Sequence, residues 1–180
     1  LLQFARQTKA NFQPNNVNEL IREAVRLVQH KIDLMSLETR VQLDETLPAI
    51  ICDAQQIRQA LVALLINACE AVMQGQGVLE VGSRYHGERQ EVEIEVRDNG
   101  IGIDEETQRH IFEPFFTTKE GEGSLGLGLA VVLSIVNRHG GQIEVKSAPG
   151  QGTTFAIRLP EKPPPEGASE PLESPGRTPW

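Results

Sequence analysis

The sequence predicts an α/β domain, a two-layer sandwich with helices on one face of a mixed, mainly antiparallel sheet. Two observations predict it. Segments of helical and of alternating periodicity follow one another as helix, strands, helix, strands, helix, strands. And 180 residues, with 39% hydrophobic and 23% charged side chains, make one domain with a proper core.

Taken in order, residues 1–10 look like the last turns of a helix, and Pro14 marks 11–16 as a linker. An amphipathic helix spans about 17–31: Val17, Leu20, Ile21, Ala24, Val25, Leu27 and Val28 recur at helical spacing, and Asn16 caps it. Val41 and Leu43 alternate with polar neighbours in a short strand. Pro48 breaks the chain before Ile50-Ile51. Asp53 opens a long helix, with Gln56 as its capping-box partner. That helix runs to about Met73 and is ended by Gly75-Gln76-Gly77. It holds the longest apolar stretch, Ala60 to Ala68, interrupted by Asn67. Strands follow at about 78–85 and 91–97; in the second, Val92, Ile94 and Val96 alternate with charged residues. A polar, Gly-rich stretch covers 98–125, with a short helix at 104–110. A helix spans about 126–139 and stops at Gly140-Gly141. Strands at about 141–147 and 153–159 close the domain, which occupies 17–160. Residues 161–180, with Pro163-Pro164-Pro165, form a disordered tail.

Composition excludes several functions. The formal net charge is −8 and no basic patch is visible, so a nucleic-acid partner is not expected. Cys52 and Cys69 lie in apolar surroundings and read as reduced packing residues of a cytoplasmic protein. No Cys or His cluster has metal-ligand spacing. No apolar run approaches the roughly 20 residues that span a bilayer, and no signal peptide is visible. The chain opens on Leu1-Leu2-Gln3-Phe4 without a methionine, which suggests a piece of something longer whose parent can still be membrane-anchored.

The chemistry concentrates in Asp98-Asn99-Gly100-Ile101-Gly102, with Asn67 before it and Gly126-Leu127-Gly128-Leu129 after it. A carboxylate can pair with a base amino group, glycines let backbone approach a flat ring or a phosphate, and an amide oxygen can hold a hard cation. An Asp-Asn-Gly turn after a strand is common on its own, as is a core Asn in an apolar helix. Together these are parts of an ATP site, and no GxxxxGK[ST] loop offers another. Gly121 to Gly126 fits GxGxxG, but it follows a polar loop rather than the first strand of a βαβ unit.

These segments resemble the motifs of the catalytic, ATP-binding domain of bacterial sensor histidine kinases, within the gyrase–Hsp90–kinase–MutL superfamily. Residues 59–68 are similar to its asparagine box. Asp98 to Ile103 resembles the first glycine box, and Ile111 to Lys119 the phenylalanine box. Gly126 to Leu129 and Gly150 to Phe155 resemble the later glycine boxes. The resemblance covers about residues 15–160 and implies a Bergerat-type fold. It also implies roles. Asp98 would accept from the adenine amino group, assisted by Thr153. Asn67 would hold Mg²⁺ on the ATP phosphates. Gly100, Gly102, Gly126, Leu127, Gly128 and Leu129 would surround the nucleotide, the last four at a helix start suited to phosphate. The segment between Phe115 and Gly126 would be a flexible lid, and Lys119 on it would reach the γ-phosphate or stay solvated. Glu70 would touch the ion through water or be a plain surface residue.

Two departures sharpen the expectation. Ala63 stands one turn before Asn67, where hydrolysing superfamily members carry a glutamate base, so ATP should be held and barely hydrolysed. None of the four histidines (His30, His86, His110, His139) lies in an acceptor motif, so the acceptor should lie on a dimerisation domain whose last helix ends at 1–10. The implied partners are that domain and a response-regulator receiver domain. The fragment itself would be monomeric and its parent a homodimer. The rivals are a stand-alone ATPase or serine-kinase anti-sigma factor, and an adaptor with a degenerate site.

Overall fold

Asn16, extended and just outside the first helix, accepts the N–H of Asn18 at 2.9 Å and so starts α1, Val17–Met35. The helix runs a turn beyond the expected 31 because Ile32 continues the buried stripe of Leu20, Ile21, Ala24 and Val28. The computed structural model describes residues 10–117 and 126–163. Residues 1–9 of the helix end expected at 1–10, Lys119 with most of the expected lid, and residues 164–180 of the tail expected at 161–180 lie outside the described residues.

Asp53 caps α2, Ala54–Ala71, accepting the N–H groups of Gln55 and Gln56 at 3.0 and 3.1 Å. The expected capping box forms differently. Gln56 donates its amide to the Asp53 carboxylate at 3.0 Å, while the Asp53 N–H goes to Nε2 of His139 at 3.0 Å. His139 ends α4, Gly128–Arg138. Its Nδ1 lies 2.7 Å from the Ile135 carbonyl, so Nδ1–H donates and Nε2 accepts, which is the neutral imidazole. Burial holds its pKa below the usual histidine value. The end of α4 is thereby tied to the start of α2.

The main sheet is built from β2 (Glu38–Gln42), β4 (Val78–His86), β5 (Glu91–Asp98), β6 (Gln142–Ser147) and β7 (Thr153–Pro160). Their order is β2-β4-β5-β7-β6, with β2 parallel to β4 and every other pair antiparallel. This is the expected mixed, mainly antiparallel sheet. Alternation decides its two faces. Leu79, Val81, Val92, Ile94, Val96, Phe155, Ile157 and Leu159 are buried, and α2 packs on β5. The other face carries ion pairs, Arg40–Glu80 at 3.0 Å and Arg158–Glu93 at 2.9 Å among them.

Two strands were not expected. Gln13–Asn15 forms β1, antiparallel to β3, Ile50–Cys52. A proline fits there because a two-stranded sheet is all edge. The Ile51 N–H donates to the Glu161 carbonyl at 2.8 Å, joining this small sheet to the end of β7. The stretch expected as a linker is therefore packed on the domain. The last helix before the closing hairpin also starts later than expected, at Gly128 rather than 126. Between β5 and α4 lies the short α3, Glu105–Gln108, capped by Asp104.

Candidate functional site

Antiparallel pairing brings the ends of β5 and β7 together, with Asp98 opposite Thr153. Both are buried, at 4% and 5% exposure. The Asp98 carboxylate accepts the Gly100 N–H at 2.8 Å and the Thr153 N–H. Even so, burial raises its pKa above the ordinary aspartate value, because desolvation outweighs those two donors. A buried carboxylate held by backbone donors, with no cation beside it among the described residues, is an acceptor prepared for a hydrogen-bond donor from a ligand.

That carboxylate opens into a cavity of about 330 Å³. The C-terminal half of α2 supplies Asn67, Ala68, Glu70 and Ala71 to one wall. Ile101, Ile103, Ile111, Phe116, Leu129 and Phe155 supply apolar surface, suited to the faces of a flat ring. Asp104, Thr107 and Thr117 add polar groups, and Gly102, Gly126 and Gly128 complete the lining. Asn67 is half-buried and its side chain makes no hydrogen bond among the described residues. Among those residues no group of three His, Cys, Asp or Glu side chains could hold a metal, so a cation here would need oxygen donors from Asn67 and a ligand.

The glycines differ in what they serve: Gly102 and Gly126 line the cavity and also sit where a Cβ would meet the Ala148 and Phe116 carbonyls at 1.9 and 2.5 Å, whereas others serve packing or the cavity alone. A Cβ on Gly100 would stand 2.2 Å from the Ala71 carbonyl, and one on Gly152, with φ +76°, 2.0 Å from the Asp98 carbonyl. These two let backbone meet backbone, so that the end of β5 seats on α2 and on β7. Gly100 does not line the cavity, nor does Leu127. Gly128, by contrast, has nothing within 4 Å of its would-be Cβ and begins α4 with no side-chain cap. Gly128 and Leu129 bring that helix start to the cavity wall, and the first-turn N–H groups of a helix have no intrahelical partner and lie at its positive dipole end. Of the sequence-derived site residues, the structure thus gathers Asn67, Asp98, Gly102, Gly126, Gly128, Leu129 and Thr153 around one space. Phe115, the residue before Phe116, donates its N–H to the Gly126 carbonyl at 3.0 Å, closing the base of the expected lid.

Ala63 packs against the core. Glu70 lines the cavity and pairs with Lys31 of α1 at 2.5 Å, so its carboxylate already serves an ammonium. Sequence reasoning missed Ser147, opposite Thr153 across the β6–β7 hairpin. A serine facing a threonine over a Pro-Gly-Gln-Gly turn was the available signal. Cys52 and Cys69 are buried and free, as expected, and burial pushes the Cys52 thiol up to about 11. No helix among the described residues is long and apolar enough to cross a membrane.

Residues 52–163 match the family model described as histidine kinase-, DNA gyrase B-, and HSP90-like ATPase. The signal transduction histidine-protein kinase AtoS of Escherichia coli K12 is 38% identical over 168 residues, which is 91% of this chain and 26% of AtoS. The catalytic domain of histidine kinase ThkA superposes with a TM-score of 0.76 at 34% identity, covering 85% of this chain and 97% of that one. The same kinase has been solved in complex with response regulator TrrA (TM-score 0.71, 32% identity, 84% of this chain and 42% of that one). Full-length ShkA in complex with AMPPNP gives 0.75 at 26% identity, over 84% of this chain and 31% of that one. The chain thus spans about a quarter of AtoS. It belongs to the histidine kinase-, DNA gyrase B- and HSP90-like ATPase family, as a catalytic domain of the sensor histidine kinase type.

Proposed function

We propose that this domain binds ATP with Mg²⁺ and presents the γ-phosphate to a histidine on a dimerisation domain, for onward transfer to an aspartate of a response regulator. The observation that carries the reading is the Asp98 carboxylate, buried, fixed by the N–H groups of Gly100 and Thr153, and open to an apolar slot. An ionised Asp98 accepts from the 6-amino group of adenine. Guanine offers a carbonyl at that position, which a carboxylate repels.

The remaining residues suit the rest of the nucleotide. The isoleucines and Phe155 enclose the ring. The open end of α4 at Gly128 donates N–H groups to phosphate oxygens. Asn67 offers its amide oxygen to Mg²⁺, which supplies charge neutralisation at the phosphates when bound. Lys119 is assigned to the γ-phosphate on its sequence position alone. In the transfer, an imidazole nitrogen of the acceptor attacks the γ-phosphorus in line, the bond to the bridging oxygen breaks, and ADP leaves. The domain's part is placement and charge stabilisation. A water would need a base to compete, and Ala63 offers none.

The complex solved for ThkA supports a receiver domain as the downstream partner, and the use of ATP supports a cytoplasmic setting. A parent homodimer follows from the need for a dimerisation domain. The test is a calorimetric titration of ATP with and without Mg²⁺. The parent should bind more tightly with Mg²⁺, and Asn67→Ala should lose that gain while keeping metal-free binding. An unchanged Mg²⁺ gain in the variant removes Asn67 from the site.

A further inference from the structure

Ser147 does not line the cavity, yet its hydroxyl decides what Thr153 can show to it. Three polar atoms surround Ser147 Oγ. The Ile103 N–H donates to it at 2.8 Å, the Gly152 carbonyl lies 2.8 Å away, and Thr153 Oγ1 lies 2.9 Å away. A serine hydroxyl has one proton and two lone pairs. The Gly152 carbonyl can only accept, so the serine proton goes there; turned elsewhere, it would leave two oxygens in lone-pair contact. One lone pair takes the Ile103 N–H. The other takes the Thr153 proton. Every capacity of Ser147 is then filled, and the proton positions follow without a choice.

We propose that Ser147 is a specificity-positioning residue: by taking the only proton of Thr153 it leaves that hydroxyl as a pure acceptor at the base edge, so the cavity favours a purine with a 6-amino group over one with a 6-carbonyl. Thr153 then matches Asp98, the acceptor opposite it on β5. Two acceptors ask for a donor at the 6-position: adenine's amino group supplies it, directly or through a water, whereas a 6-carbonyl purine meets them with a further acceptor and carries its nearest donor, N1–H, one ring atom away. A threonine free to rotate would donate to a carbonyl as readily as it accepts from an amine, and would blunt the discrimination. Ile103 and Gly152 are themselves held in place. Gln108 donates to the Ile103 carbonyl at 2.8 Å, and Gly152 packs on the Asp98 carbonyl. The lock is therefore rigid on both sides of the serine.

This inference rests on the ATP reading, and the experiment separates the two. Affinities for ADP and inosine diphosphate are measured by calorimetry on the parent, Ser147→Ala, Thr153→Val, the double variant and Ser147→Thr, with thermal melts as a check on folding. The parent should prefer ADP. Ser147→Ala should lower the ADP-to-IDP ratio by roughly three- to tenfold, the worth of one hydrogen bond, largely by improving IDP. Ser147→Thr should restore the ratio. In the Thr153→Val background, Ser147→Ala should change the ratio by less than about twofold, because the rotor is gone. If Ser147→Ala does not fold, Ser147→Cys takes its place; a thiol accepts weakly, so the ratio should fall in the same direction. A ratio within twofold of the parent in the serine variant overturns the proposal. So does an equal fall with and without the Thr153 hydroxyl, since the effect then runs elsewhere. A parent that binds neither nucleotide refutes the ATP reading itself, and one that binds both equally refutes the base-edge assignment of Asp98; the proposal falls with either.

Discussion

Replacing Asp98 by asparagine changes one oxygen into an amino group and leaves the shape alone. The carboxylate in the parent serves three donors: the Gly100 N–H at 2.8 Å, the Thr153 N–H, and the proposed base amine. Asparagine has a single acceptor atom. With that oxygen kept on Gly100, its NH₂ group faces the base amine donor to donor. The loss is one hydrogen bond to a charged group, roughly 1.5–3 kcal/mol, which is about 10- to 150-fold in affinity. It should fall equally on ADP and ATP, because the proposed binding mode keeps the phosphates away from Asp98. The assay is calorimetric titration of both nucleotides at neutral pH, with a melt to confirm a folded variant. A folded Asp98→Asn protein that binds ADP within twofold of the parent would refute the argument.

Protonation provides a second handle on the same residue. Its folded-state pKa lies above the ordinary value, so between the two values the folded protein holds more protons than the unfolded chain, and this group's contribution to stability falls as pH rises through that window. A bound amine favours the carboxylate. Nucleotide uptake should therefore release protons in the window, and affinity should rise with pH across it; titrations in buffers of different ionisation enthalpy read both, and Asp98→Asn should show neither. The close approach at Gly152 gives a stability test by comparison with Gly150, whose φ is also positive (+74°) but whose surroundings are open. Gly150→Ala should cost about 1–2 kcal/mol of unfolding free energy for the left-handed backbone, and Gly152→Ala a further ~1–3 kcal/mol for the clash with the Asp98 carbonyl. Equal denaturation midpoints would show that β5 and β7 do not meet there as described.

The legible parts of this fold were those with a local cause. Val92, Ile94 and Val96 announce β5 by alternation, and Asn16 and Asp53 announce their helices by caps. Asp98 was legible as a site candidate because its motif is contiguous, and the structure sets it in the cavity wall. What escaped depends on distant partners. Asp53 gives its N–H to His139, 86 residues on, which no local capping rule contains. Pro14 argues for a loop until β3 is known to lie beside it as the other half of a two-stranded sheet. The role of Gly100 was read as approach to a ligand; its close neighbour is the end of α2. Ser147 gains its meaning only from the register that sets it opposite Thr153.

The central claim is that this site holds ATP for transfer to a histidine on another domain rather than for hydrolysis. It is tested most directly by mixing the purified chain with γ-labelled ATP, Mg²⁺ and a dimerisation domain that bears the acceptor histidine. Label should appear on that domain as an acid-labile, base-stable phosphohistidine, and should be absent when the acceptor histidine is replaced. The chain alone should remain unlabelled and release inorganic phosphate very slowly. Phosphate release by the chain alone near the ~10 per second typical of enzymes, lost on Asn67→Ala and with no label on the partner, would contradict the account in favour of a hydrolase.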